Sequence, residues 1–433
     1  MNTKNITMRL LTACTLLAAT HCMIDAHTAT TAMSINSYPD SLCNIVGLLV
    51  EEHDADWYRR QYEGWMAQVK QNPKDETAWL NCYRAKKYEI TFDENLENSD
   101  SVQLHLIKQM QHHIPDTYTY FTCAYLGPLQ GQHDVYEYGK KAYYMMPEKR
   151  TFFDYDTWLC YHKLYGEMDD YKQFAREYYK SGVYSNELIQ LNRNELECMD
   201  KGAIFLGYGD ATVIPKWLIQ DGMGKHSDKL VLCYSFFYNP DYCKRLYNKL
   251  GIGEVPELTE IQSFNDYEDY VQLVINQVAV RTGRKMYMSK YNYANCYTLW
   301  AKNGSLYDVG LIYAVSPDKE LDLVKEQKRS WKKCNMKYLD KRIKNDEWIT
   351  VSRLSCAMTR NFTQLMKYYK DNGDKKNFKR IHSTLEKAVN RISNPIWYDA
   401  AFHELESIDD ELEQDDINID EDSLMEYDEE NDQ

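Results

Sequence analysis

Lys201-Gly-Ala-Ile-Phe-Leu-Gly-Tyr-Gly-Asp210-Ala-Thr-Val-Ile-Pro-Lys-Trp-Leu-Ile-Gln220 opens the stretch, continuing to Gly251, whose reading decides the fold. Ala203 to Leu206 is a short apolar run, the pattern of a strand buried on both faces. Gly207-Tyr208-Gly209-Asp210 ends it; the glycines permit a tight reversal, and Asp210 or Thr212 is placed to cap the next helix. That helix is expected over Val213 to Gln220, with Pro215 in its first turn and Gly222 past its end. Lys229 to Tyr234 is a second apolar run, and Asn239-Pro240-Asp241 opens a further helix that stops at Gly251. Strand, glycine turn, helix, strand, helix is a βαβ unit written in sequence. It implies a parallel sheet whose carboxyl ends can host a site.

Upstream, residues 34–200 have helical periodicity. Trp57, Tyr58, Tyr62, Trp65, Met66 and Val69 recur at the spacing of one amphipathic face. Asn72-Pro73-Lys74-Asp75 starts the next helix, which carries Trp79, Leu80, Tyr83 and Tyr88. Asp156–Leu164 and Asp170–Tyr179 form a further pair around Gly166. Proline before a helix, aromatic and small residues inside, and glycine between helices resemble tetratricopeptide hairpins. Downstream of Gly251, Asp266–Arg281 reads as a helix, Lys285–Met288 as a third strand, Asn292–Lys302 as a helix, and Leu306–Val315 as one strand-like segment. Helices are expected over 321–345, 346–370, 375–393 and 397–406, packing as a bundle. The expected domains are 34–200 (helical), 201–317 (α/β) and 318–406 (helical), in an α-rich α+α/β protein.

The two ends of the chain differ from its body. Met8-Arg9 followed by the apolar run Leu10–Thr20 has the form of an export signal over residues 1–26 and is too short to span a membrane. The expectation is therefore an exported protein, periplasmic or associated with the cell envelope, rather than a lipoprotein. From Glu404 onward there are 16 Asp and Glu and no Lys or Arg. Setting these aside from the net charge of -15 leaves a body near +1. That body gives no electrostatic reason to expect nucleic acid, and residues 407–433 read as an acidic disordered tail. Beyond the signal stand ten cysteines, Cys43, Cys82, Cys123, Cys160, Cys198, Cys233, Cys243, Cys296, Cys334 and Cys356, none in a CxxC pair. They read mainly as buried apolar residues, with a disulfide framework as the alternative. Tyrosine is unusually abundant at 37 residues, which suits helical packing in which the ring is buried and the hydroxyl finds a partner.

Gly209-Asp210-Ala211-Thr212-Val213-Ile214-Pro215-Lys216-Trp217-Leu218 resembles a Gly-Asp-Asn-Asp-Thr-Phe-Pro-Leu-Trp-Tyr segment of a family of large exported and membrane-attached Bacteroidota proteins. Gln220, the strand Lys229–Phe236, Gly283–Met288 and the closing Gly310-Leu311-Ile312-Tyr313-Ala314-Val315-Ser316-Pro317 are similar to that family's later segments. The likeness covers roughly 200–317. Longer family members join this unit to a multi-spanning region similar to lipid-dependent glycosyltransferases, which this sequence lacks. Thr212 and Val213 stand where the family has Asp and Thr.

Gly207, Gly209, Asp210 and Thr212 are the ligand-binding candidates, at the carboxyl end of the first strand and the start of a helix. Their alternative roles are turn and N-cap. No GxGxxG, GxxxxGK[ST] or Gly-x-Ser-x-Gly pattern occurs. His112-His113 and His133-Asp134 lack a third ligand at metal spacing. No catalytic set, metal or cofactor is therefore expected. The sequence favours an envelope scaffold that binds another protein through a hairpin surface around Trp57, Trp65 and Trp79. The competing reading is a carbohydrate-binding or glycosyltransferase-accessory protein that uses Asp210, with a glycan as its partner.

Overall fold

The computed structural model describes residues 41–93, 99–128, 134–166, 169–257, 264–290, 305–316, 321–340, 348–356, 358, 361–393, 395, 398–403 and 405–406. The expected signal segment, the helix over 292–302 and the tail over 407–433 lie outside them. The described residues divide into two compact units, one of residues 41–183 and 204–284, the other of residues 184–203, 285–290 and 305–406. The fold is helix-rich. Among the described residues are five short strands, paired parallel in the first unit and antiparallel in the second.

In the first unit, α1 (Ala55–Gln71) and α2 (Glu76–Phe92) start where aspartates cap them: Asp54 accepts from the Trp57 N–H and Asp75 from the Ala78 N–H. The two helices pack on each other and on an entering segment, closing a core of Ile45, Leu48, Trp57, Tyr58, Ala85 and Tyr88. That segment is held by polar side chains of the helices. Gln61 Oε1 accepts from the Cys43 N–H at 2.9 Å, and Asn81 Oδ1 accepts from the Ile45 N–H at 2.7 Å. Next come α3 (Ser99–His113), α4 (Tyr118–Leu126), α5 (Asp134–Tyr144), α6 (Phe152–Tyr165) and α7 (Tyr171–Ser181). A reciprocal Thr151/Asp154 capping box opens α6, and Gly182 in the left-handed conformation closes α7.

Tyrosine makes this core, and carboxylates allow its hydroxyls to be buried. Tyr118 donates to Asp154 at 2.5 Å, Tyr143 to Asp170 at 2.6 Å, Tyr171 to Asp221 at 2.5 Å, and Tyr178 to Asp156. Trp158, fully buried, stacks on Tyr125 and donates its indole N–H to the Tyr118 hydroxyl. Each ring thus contributes apolar area while its hydroxyl avoids the cost of an unpaired buried polar group.

The βαβ unit is present. Strand β1 (Ile204–Gly207) pairs in parallel with β2 (Leu230–Cys233), in a register that sets Gly207 opposite Cys233. Between them lies α8 (Asp210–Trp217), which continues as a π-helical turn over Leu218–Gly222. The helix begins three residues earlier than the sequence suggested, so Pro215 sits in its interior. A proline there has no N–H for the carbonyl four residues back, and the ladder widens after it: Leu218 O accepts from the Met223 N–H at 3.0 Å. Among the described residues this unit also has α9 (Pro240–Leu250), capped by Asn239 and ended by Gly251 as expected, and α10 (Phe264–Thr282).

The second unit contains α11 (Asn186–Cys198) and an antiparallel set in which β5 (Ile312–Val315) pairs with both β3 (Met286–Ser289) and β4 (Leu306–Asp308). The single strand expected over 306–315 is therefore a hairpin. Gly310 makes the reversal at φ 114° and donates its N–H to Asp308 Oδ1; a Cβ there would also meet the Phe362 ring at 2.5 Å. Helices α12 (Leu323–Lys333), α13 (Ile349–Cys356), α14 (Thr363–Asp371) and α15 (Lys375–Val389) come after it. The helix expected over 346–370 is two helices, α13 and α14, and Phe362, left-handed at φ 65°, is the N-cap of the second. Buried Gln327 joins three elements: its amide donates to the Asp308 carbonyl, and its carbonyl accepts from the Leu365 N–H. No helix among the described residues is long and apolar enough to cross a membrane.

Candidate functional site

The carboxyl ends of β1 and β2 gather the groups singled out in the sequence. After β1 the chain passes through buried Tyr208 and turns at Gly209, whose φ of 77° and ψ of 169° suit glycine. Gly209 is the N-cap residue of α8. Asp210 is the first residue of the helix proper, and neither it nor Thr212 supplies the expected side-chain cap. The Thr212 hydroxyl is buried and donates to the Tyr208 carbonyl at 2.9 Å, with the Gly209 carbonyl at 3.1 Å. It is committed to its own turn and is not offered to a ligand.

Gly207 is not a cradle either. A Cβ built there would lie 2.7 Å from Val213 Cγ1 and 2.8 Å from Thr212 Oγ1, so the position is glycine because α8 packs directly onto the strand end. Trp217 is core, with its indole N–H on the Val231 carbonyl at 3.2 Å. Gln220 donates to the carbonyls of His226 and Lys229 and so fixes the approach to β2. Most of the motif is thus architecture, and Asp210 is the exception.

Half-buried Asp210 has its carboxyl pushed up to about 6 by desolvation in packed surroundings. Its charge is felt by Cys160 on α6, Cys233 at the end of β2 and Tyr88 on α2. Burial raises the Cys233 thiol to about 11, against the hydrogen bond of the Ser235 hydroxyl. The two side chains are 3.1 Å apart. A thiol in that state is protonated at neutral pH and is a poor nucleophile. Asp210 is the opposite case, a carboxyl that exchanges its proton near neutrality and can accept from, or donate to, a hydroxyl brought to it.

A neighbouring feature escaped the sequence reading. Lys216 is fully buried, donates to the Thr212 carbonyl at 2.8 Å and lies 4.2 Å from the centre of the Phe205 ring. The signal was present, since Lys216 stands where the resembling segments have leucine. Glu268 is a second: its carboxylate accepts from Tyr234 at 2.7 Å and from Tyr238, and burial raises its pKa.

The tryptophans expected on an interaction surface are placed otherwise. Trp57 and Trp79 are buried, and Trp65 is half-buried with its indole N–H on the Cys43 carbonyl at 3.0 Å. Large apolar rings on a packed helix face are withdrawn from water by the next helix, so the first two present nothing to a partner. Among the described residues the exposed apolar groups of the hairpin helices are all on or beside α5: Tyr136 near its start, and Tyr144 and Met145, 67% and 41% exposed, at its end. Among the described residues no three His, Cys, Asp or Glu side chains gather as a metal site would require.

Compared with family models, curated proteins and solved structures, the chain matches none.

Proposed function

We propose that the protein is an exported scaffold of the bacterial envelope, binding another protein through hairpins of the tetratricopeptide-like kind. One observation carries the reading. In helices where Trp57, Trp79 and Trp158 are withdrawn into the core, Tyr144 and the adjacent Met145 stand exposed together. An aromatic ring beside a flexible thioether suits a contact that a partner would desolvate. The test is capture from native envelope with the mature chain, a Tyr144→Ser/Met145→Ser variant and an Asp210→Ala variant. The scaffold reading expects one protein to be retained by the first and third and lost by the second.

A second reading is favoured by the Asp210 carboxyl, which titrates near 6 at a strand end. On that reading the βαβ end binds a polyhydroxyl ligand such as a glycan or a lipid-linked sugar, as the family resemblance implies. Recovery of such a sugar with the unmutated chain and not with Asp210→Ala, and of no protein, would overturn the scaffold reading.

A further inference from the structure

The second unit carries a pair of cysteines that the sequence does not join. Cys198, the last residue of α11, and Cys334, just past the end of α12, bring their Sγ atoms to 3.5 Å across 136 positions of chain. Their approach is held from both sides. One turn before Cys198, Asn194 reaches across as a two-point clamp: its Nδ2 donates to the Asn335 carbonyl at 3.0 Å, and its Oδ1 accepts from the Asn335 N–H at 2.9 Å. Because Asn194 and Cys198 are four apart on one helix, fixing the first against Asn335 sets the second against its neighbour Cys334. Just past Cys198, Asp200 pairs with Arg329 at 2.6 Å, binding the same two segments again. This clamp also accounts for α12 stopping at Lys333, since Asn335 gives its backbone groups to Asn194 rather than to the helix.

We propose that Cys198 and Cys334 form a native disulfide that locks the end of α11 to the end of α12. The oxidant is a small-molecule or protein disulfide, with oxidised glutathione as the experimental case. The half-exposed Cys334 gives up its proton and attacks one sulfur of the oxidant, forming a mixed disulfide and releasing one glutathione thiol. Cys198 then gives up its proton and attacks the Cys334 sulfur, forming the Cys198–Cys334 bond and releasing the second glutathione. Two protein thiols are oxidised, one disulfide is reduced to two thiols, and both protons leave with the glutathiones.

Geometry favours the bond and chemistry sets its timing. The hydrogen bond with Cys198, together with burial, raises the Cys334 thiol far above its ordinary value, so the folded dithiol holds little thiolate. Oxidation of the native dithiol is therefore slow, and oxidation during folding is the productive route. Closing so long a stretch of chain restricts the unfolded state strongly.

The test is refolding of the full chain in a glutathione redox buffer or in excess reductant, followed by non-reducing peptide mapping. The expected result is a species lighter by two hydrogens, a Cys198 peptide joined to a Cys334 peptide, and an unfolding midpoint lower by roughly 5 °C or more after reduction. Cys334→Ser should abolish both the link and the reductant-dependent shift. Asn194→Ala, which leaves both thiols in place, should lower the yield of the link several-fold. If both cysteines remain alkylatable after oxidative refolding, or are joined chiefly to other cysteines, the proposal is overturned.

Discussion

Replacing Asp210 by asparagine should make the protein more stable at neutral pH and leave its stability nearly unchanged near pH 4. The carboxyl is held at about 6 against an ordinary 3.8, with burial as the cause. Between roughly pH 4 and 6 the folded state therefore holds a proton that the unfolded chain releases, and stability falls as pH rises through that window. Above it the penalty is complete. That rise corresponds to ~3 kcal/mol, an upper bound for a residue that keeps part of its surface open. The partial positive charge at the start of α8 returns some tenths of a kcal/mol to the carboxylate. The expected gain for Asp210→Asn is thus about 1–3 kcal/mol at pH 7.5, shrinking toward zero at about pH 4. Urea unfolding of both proteins, followed by circular dichroism across pH 4 to 8, measures it; taking the difference at each pH cancels every other titrating group. A variant that is less stable at neutral pH, or a difference independent of pH, would refute the reasoning. It would mean that the carboxylate has a partner that demands its charge.

Gly207→Ala should destabilise by about 1–3 kcal/mol, because the added methyl meets Val213 and Thr212 rather than open space; an unchanged urea midpoint would restore the glycine as a candidate ligand cradle. His162, fully buried among Tyr143, Tyr171 and Phe174, is held down at about 4 by desolvation. It should stay neutral in an NMR titration until about pH 4 and withdraw stability as pH falls from about 6.5, since only the unfolded chain takes up the proton in that range. Tyr178→Phe keeps the ring and removes a donor from the buried Asp156 carboxylate; a loss of about 1–3 kcal/mol is expected, and a neutral result would show that bond to be dispensable.

The sequence by itself determined the local events whose causes lie within a few residues. The apolar run before Gly207, the Asn239-Pro240 start and Gly251 stop of a helix, and the paired helices around Gly166 were all legible, because capping and backbone freedom act locally. The abundance of tyrosine was legible as buried packing, though not which carboxylate each hydroxyl would meet. Tertiary structure decided the rest, for reasons of distance. Pro215 reads as a first-turn residue until the packing of α8 on β1 draws the helix back to Asp210. Trp57 and Trp79 look like a surface until the next helix covers them. The burial of Lys216 follows from its contacts with the Thr212 carbonyl and the Phe205 ring. A stretch that reads as one strand folds back at Gly310 beneath Phe362, from 52 positions away. The meeting of Cys198 with Cys334 depends on a side-chain clamp across 141 positions, and no local pattern records such a contact.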